Sequence, residues 1–412
     1  YARQTGYNCD QCHTIFPALT PYGRRFKLNG YTQGGGSSDL PPLAVMVQTG
    51  FTETATPQPG GAAPHFAAND NLALQQISVF TGGRITDNVG AFIQGTYDGV
   101  ARQFVWDNID IRYANQSSLF GTDLTYGLTL NNNPTVQDAW NTTPAWSFPY
   151  MSSALVPTPA ASPLINGGLA QQVAGLGAYA WVDDWIYAEI SGYRTVSKSF
   201  QKVVGVDPAG ASPIDGVAPY WRVALEPSWG KHSIEIGTFG LSADIVPQRI
   251  NAFGTDHFTD IGLDAQYQFS GDLHDVTIHI PWVDEIQDLN ASHQLGLADN
   301  AHNVLRSFTP SIAYTYDHSW QVTEQYFITS GSTDFAAYGT FNGSPNTSGF
   351  LTQLAWSPFS HGGPAFWPTA NGQLILQYTA YTKFNGATTN VDGNGARASD
   401  NNSLFLGLWV AF

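Results

Sequence analysis

Ser403-Leu-Phe-Leu-Gly-Leu-Trp-Val-Ala-Phe412 decides the fold. Its side chains alternate: Leu404, Leu406, Leu408, Val410 and Phe412 fall on one side, Ser403, Phe405, Gly407, Trp409 and Ala411 on the other. A period of two belongs to an extended strand, whose successive side chains point to opposite faces. The first face is wholly apolar, as a wall against lipid requires. The second is unusually apolar for a water-filled lumen and predicts something greasy inside.

Working back from this strand, the chain from Leu43 onward falls into sixteen alternating segments, the first at 43-54 and the last at 402-412. The connections alternate in length. Those at 86-88, 115-118, 183-184, 229-230, 270-272 and 317-318 are tight, whereas 132-171, 196-218, 243-256, 284-303, 331-346 and 384-401 are long and rich in Gly, Pro, Asn and Ser. Two depart from the rule: 100-103 is short where a long loop is due, and 358-371 is long where a tight turn is due. Tight turns on one side and long loops on the other describe a transmembrane antiparallel β-barrel of about 16 strands, an all-β fold with both ends on the periplasmic side. A terminal Phe after alternating apolar residues resembles the insertion signal of such barrels. A soluble sandwich or propeller also has short strands, but no blade-length repeat is visible and the unequal loops have no explanation there.

Composition agrees. With 12 Trp, 19 Tyr, 24 Phe and 42 Gly beside only 12% charged residues, the chain is aromatic-rich and charge-poor. No run approaches the roughly 18 apolar residues of a membrane helix, so strands must make any crossing. Tyr1 reads as the first residue left after removal of a signal peptide. The formal net charge of -16 disfavours nucleic acid and anionic lipid head groups and favours a cation as partner. Residues 1-42 differ: Arg3, Arg24, Arg25 and Lys27 oppose Asp10 and Asp39 for a net +2, leaving -18 on the rest.

Both cysteines lie in Cys9-Asp10-Gln11-Cys12-His13, the C-x-x-C-H pattern of covalent haem attachment. Two thiols three positions apart reach the two vinyl groups of one porphyrin, and the adjoining imidazole of His13 lies beneath the iron as proximal ligand. A redox C-x-x-C would need a βαβ setting and a zinc site would need further cysteines. Thr20-Pro21 through Asn29-Gly30 carries the cap, first-turn proline and trailing glycine of one short helix. Its Arg24, Arg25 and Lys27 suit haem propionates, or form a solvated basic face. One helix cannot enclose a porphyrin, so the barrel must supply the rest of the pocket, with Phe405 and Trp409 as candidates.

The segment from Tyr1-Ala-Arg-Gln-Thr-Gly-Tyr-Asn-Cys-Asp-Gln-Cys-His through Thr-Pro-Tyr-Gly-Arg-Arg-Phe-Lys-Leu-Asn-Gly-Tyr31 resembles the fused monohaem cytochrome-porin family, which contains the iron-oxidising outer-membrane cytochromes. The likeness in motif covers about the first thirty residues and the strand after them. It implies a haem segment (1-42) plugging or lining a porin-like barrel (43-412) in the outer membrane of a Gram-negative bacterium. The segment would enter from the periplasmic side and carry a single haem c, with no nucleotide. Electrons would pass from extracellular Fe(II), or another reductant, to a periplasmic carrier such as a soluble cytochrome or copper protein. The family's haem motif falls on Cys9, Cys12 and His13. A transport porin with a haem-bearing plug or redox gate is the alternative from another class.

A thioether opposite histidine raises the potential of a c-type haem, as an acceptor of electrons from Fe(II) needs. In the first strand Met46 shares the lumen face with Gln48 and Gly50, near the periplasmic end, and is the expected sixth ligand. It could equally be a packing methionine. Met151 is the only other methionine, and His279, on the lumen face of its strand, is the runner-up. Asp260 and Asp264 on one lumen face, with Asp284, Glu285 and Asp288 at the start of a long loop, offer hard oxygens for the approach of Fe(II), although carboxylates also line such lumens ordinarily. No Ser-His-Asp order, P-loop or H-E-x-x-H motif supports a hydrolase or a nucleotide-driven enzyme.

Overall fold

A computed structural model describes residues 1-34, 43-206 and 212-412. Asp39 and the division at residue 42 therefore lie outside the described residues. From residue 43 the chain forms a closed antiparallel barrel of 16 strands. The first eight are Leu43–Thr54 (β1), Asn71–Arg84 (β2), Val89–Asp98 (β3), Gln103–Leu119 (β4), Thr122–Asn131 (β5), Val173–Val182 (β6), Ile186–Thr195 (β7) and Ala218–Leu225 (β8). Then come His232–Ile245 (β9), Asp256–Ser270 (β10), His274–His279 resumed as Trp282–Asp288 (β11), His302–Phe308 resumed as Ser311–Tyr316 (β12), Trp320–Gly331 (β13), Thr347–Trp356 (β14), Asn371–Lys383 (β15) and Ser403–Ala411 (β16). Closure is made by β16 on β1, with Leu406 opposite Phe51 and Trp409 opposite Gln48.

The alternation read in β16 holds around the wall. Phe405 and Trp409 are buried inside, while Leu406 and Leu408 are exposed outside, in line with Ile261, Leu263, Val322, Leu374 and Leu376 on other strands. Trp320 and Trp356 stack near the tight-turn end, with centroids 5.5 Å apart, part of the aromatic belt such barrels carry at the membrane surface.

Asp183-Asp184 and Asp317-His318 take positive φ at both residues, as two-residue hairpins demand. The expected turn at 115-118 is displaced: β4 continues through it, and Phe120-Gly121, again both at positive φ, reverses the chain. The acidic run is also relocated. Asp284, Glu285 and Asp288 belong to β11 and not to a loop, because the strand resumes after Pro281 with its alternation intact.

The connection 132-171 starts at the long-loop end and folds back into the lumen, where Asn131 through Thr143 is buried without interruption. Asp138 organises it by accepting from the backbone N–H groups of Trp140, Thr142 and Thr143. The N-terminal segment enters from the opposite end. It comprises Ala2–Thr5 (α1), Cys9–Cys12 (α2), a small hairpin of His13–Ile15 and Ala18–Leu19, and Pro21–Leu28 (α3). Thr20 caps α3 by accepting from Gly23 N, with Pro21 in the first turn as the sequence predicts. A Cβ at Gly23 would lie 2.3 Å from the Cys12 carbonyl oxygen, so only glycine lets α3 pack this closely on α2.

Candidate haem site

Two partly buried free thiols, Cys9 and Cys12, stand at the ends of α2. Burial raises both, Cys12 to about 11, the reverse of the stabilised thiolate that a dithiol redox centre needs. Nδ1 of His13 lies 3.1 Å from the Pro17 carbonyl. That contact fixes Nδ1 as the protonated nitrogen and leaves Nε2 as the basic one, the outer-shell arrangement of metal-bound histidines. Beside Cys9 a cavity of about 240 Å³ opens between Tyr7 and Pro368.

Immediately past His13 the segment meets an apolar part of the lumen. Ile15 is buried with Met46, Met151, Ile375, Phe405 and Trp409. Phe16 makes edge contact with His13 on one side, at 5.4 Å, and with Trp409 on the other, at 4.9 Å. The greasy inner face of β16 is thereby accounted for, and Met46, Phe405 and Trp409 do converge. So does Met151, which arrives on the folded-in connection and which sequence position alone could not place. These residue types fit a covalent haem: two thiols for its vinyls, a free imidazole nitrogen, two thioethers and an apolar wall.

Other expected residues are placed differently. His279 faces the lumen, but Nε2 lies 2.9 Å from Gln266 Oε1 and Nδ1 3.5 Å from Ser311 Oγ, so the wall engages both ring nitrogens. Arg24, Arg25 and Lys27 fasten α3 to the barrel, a role that needs no propionate. Arg24 donates to Gln268 at 2.6 Å and lies over the Trp140 ring, Arg25 pairs with Asp184, and Lys27 donates to the Val136 and Asp138 carbonyls at 2.7 Å each. Burial pushes Lys27 down to about 7. The five carboxylates do not form one group. Asp264 is held by Arg222, Asp284 by Arg306 and Asp288 by His302. Only Asp260 and Glu285 stand side by side, tied to the backbone N–H groups of Ile165 and Leu164.

His318 and His361, which no sequence pattern singled out, seat the C-x-x-C-H segment. His361 Nδ1 is 2.6 Å from Asp10, between the cysteines, and His318 Nδ1 is 3.0 Å from the Thr14 carbonyl. Ser360 accepts from Asp10 N at 3.1 Å, and Gln373 donates to the Phe16 carbonyl at 2.9 Å. His361 and Ser360 lie in the connection 357-370, so the loop that breaks the length rule is the one that holds the segment. Partial burial works against charge on His361. The Asp10 hydrogen bond, the Asp317 carbonyl and both carboxylates outweigh it, and its pKa is raised above 6.5. The contact is therefore fully present below 6.5 and is lost as pH rises through the raised value. Protease cleavage within residues 1-20 is expected to accelerate across that rise in the native protein. His361→Asn should give a flat profile, and a pH-dependent one would remove the role given to His361.

No protein-family profile and no curated protein matches the sequence. Among solved structures, the anion-selective porin of Comamonas acidovorans is 12% identical with a TM-score of 0.50, over 90% of this chain and 99% of that one. The loop-L8 deletion mutant of OmpT from Vibrio cholerae is 8% identical (TM-score 0.47; 90% and 98% covered), and OmpF of Salmonella typhi in complex with daunomycin is 12% identical (0.48; 91% and 98%). At such identities the likeness is one of fold. The chain is a porin-type β-barrel, of the kind found in outer membranes, with an N-terminal segment seated in its tight-turn mouth.

Proposed function

We propose that this protein is an outer-membrane c-type cytochrome-porin of the fused monohaem family. It takes electrons from extracellular Fe(II) and passes them to a soluble periplasmic carrier, a cytochrome or copper protein. The observation that carries the reading is a convergence: the sole C-x-x-C-H motif is packed against a buried cluster that gathers both methionines of the chain. A covalently held haem supplies one-electron chemistry at such a site. Cys9 and Cys12 would tether it as thioethers, His13 Nε2 and the Met46 sulfur would bind its iron, and Phe405 and Trp409 would keep water from that side. One electron leaves each Fe(II), which departs as Fe(III).

Mixing the oxidised holoprotein with Fe(II) in stopped flow tests this directly. Haem bands that shift to the reduced form, with one Fe(III) formed per haem, are the expected result. Bands that stay oxidised would overturn the donor assignment. The porin fold supports a second reading, a transport pore with a haem-bearing gate. Planar-bilayer conductance separates the two, because the buried 131-143 stretch and α3 both occupy the lumen. An electron conduit is expected to conduct at least roughly tenfold less than an open barrel of this strand number, whose lumen is an aqueous channel.

A further inference from the structure

Two prolines, offset by one residue in the register, interrupt neighbouring interior strands of the wall. The register places Trp282 opposite Phe308 and His279 opposite Ser311, so Ile280-Pro281 of β11 faces Thr309-Pro310 of β12. Proline has no N–H to give the ladder and is rarely tolerated away from a sheet edge. Both strands break there, and beside the break, on the long-loop side, lies a groove of about 350 Å³ bounded by Trp282, Arg306, Phe308, Ile328 and Ser330. Trp282, Phe308 and Ile328 form one apolar row across three strands. The row above, toward the long loops, holds Arg306 with Ser330 opposite it in register. Asp284 takes the Nε of Arg306 at 2.6 Å, and the side chain of Arg306 remains 53% exposed. The polar rim at Asp288 and His302 lies four residues higher.

We infer that this notch binds a phosphorylated glycolipid of the outer leaflet. The inference rests on the outer-membrane reading, in which the long-loop end faces outward. An acyl chain lies over Trp282, Phe308 and Ile328, and a phosphate receives the terminal nitrogens of Arg306 and the Ser330 hydroxyl. The arrangement follows the membrane's own polarity, apolar below and, above, an Arg306–Asp284 pair whose terminal guanidinium nitrogens have no partner in that pair. A guanidinium at this depth has little water, one carboxylate satisfies only part of its fork, and a phosphate matches the remainder in bidentate fashion.

The full-length protein, purified from outer membranes in mild detergent, is expected to retain diphosphorylated lipid A on mass spectrometry of its lipid extract. Arg306→Ala removes the cation, and Ser330→Trp fills the groove without touching it; both are expected to lose the lipid while keeping heat-modifiable gel mobility. In phosphatidylcholine vesicles, added lipid A should raise the Tm of the native protein and leave that of Ser330→Trp unchanged, and phosphatidylglycerol should raise neither. A native protein free of lipid A, variants that retain it, an equal response to phosphatidylglycerol, or crosslinking of two copies through Trp282 would each overturn the site. A protein absent from the outer-membrane fraction would instead overturn the reading beneath it.

Discussion

Arg112→Ala is expected to destabilise the barrel by about 3–5 kcal/mol, the usual result of leaving a buried charge without its partner. Arg112 is fully buried on β4, inside the lumen, and its Nε lies 2.7 Å from Asp110. The remaining nitrogens donate to the Lys27 carbonyl at the end of α3, at 3.3 Å, and to the Gln137 carbonyl of the folded-in connection, at 2.5 Å. One side chain thus holds both lumen-filling segments to the wall. Asp110 also accepts from Tyr31 at 2.6 Å, so its stranded charge would disturb the residues just after α3 as well. Urea titration of the refolded protein measures the loss. Bilayer conductance of the same variant should rise, because the 131-143 stretch and α3 lose a common anchor. Unchanged stability and conductance together would show that other contacts hold both segments.

The wall of the barrel was legible because a strand's side-chain period is fixed by backbone geometry. β1 begins at Leu43 and β16 ends within one residue of where alternation puts them. Where the reading slipped, the cause is local: Pro281 breaks the ladder without ending β11, and polar Asn115 through Ser118 continue a strand that outruns the apolar band. The filling of the lumen was not legible, since Lys27 meets Val136 across 109 positions and no periodicity encodes that contact. The C-x-x-C-H pattern lies in five adjacent residues and is visible in the sequence alone. Its seat needed His318 and His361, more than 300 positions away in sequence. The single hint was the excess length of the connection at 358-371.

Met46→Ala is expected to abolish any charge-transfer band of Met–Fe(III) ligation and to lower the haem potential by on the order of 100 mV, a modest part of the roughly 0.8 V that axial ligands span. Both methionines are buried in the cluster beside Ile15, so burial cannot choose between them. Height along the barrel can. Gln373 binds the Phe16 carbonyl, pairs in register with Trp409, and Trp409 pairs with Gln48. Met46 is the next inward residue on β1, one step toward the tight-turn end where Cys9 and Cys12 sit. The backbone carbonyl of Met151 is held by Gln377, four residues further from that end than Gln373, or about 13 Å along the strand. Its side chain turns part of the way back, but Cε lies against Gly407, where an added Cβ would approach it to 3.0 Å, still two residues beyond the level of Trp409. Met151→Ala should therefore keep the band and shift the potential little, through loss of packing alone. A variant pair with the opposite behaviour would transfer the iron ligand to the folded-in connection. It would then tie the sixth ligand to the segment that starts at the long-loop end, so that movement there could reach the iron.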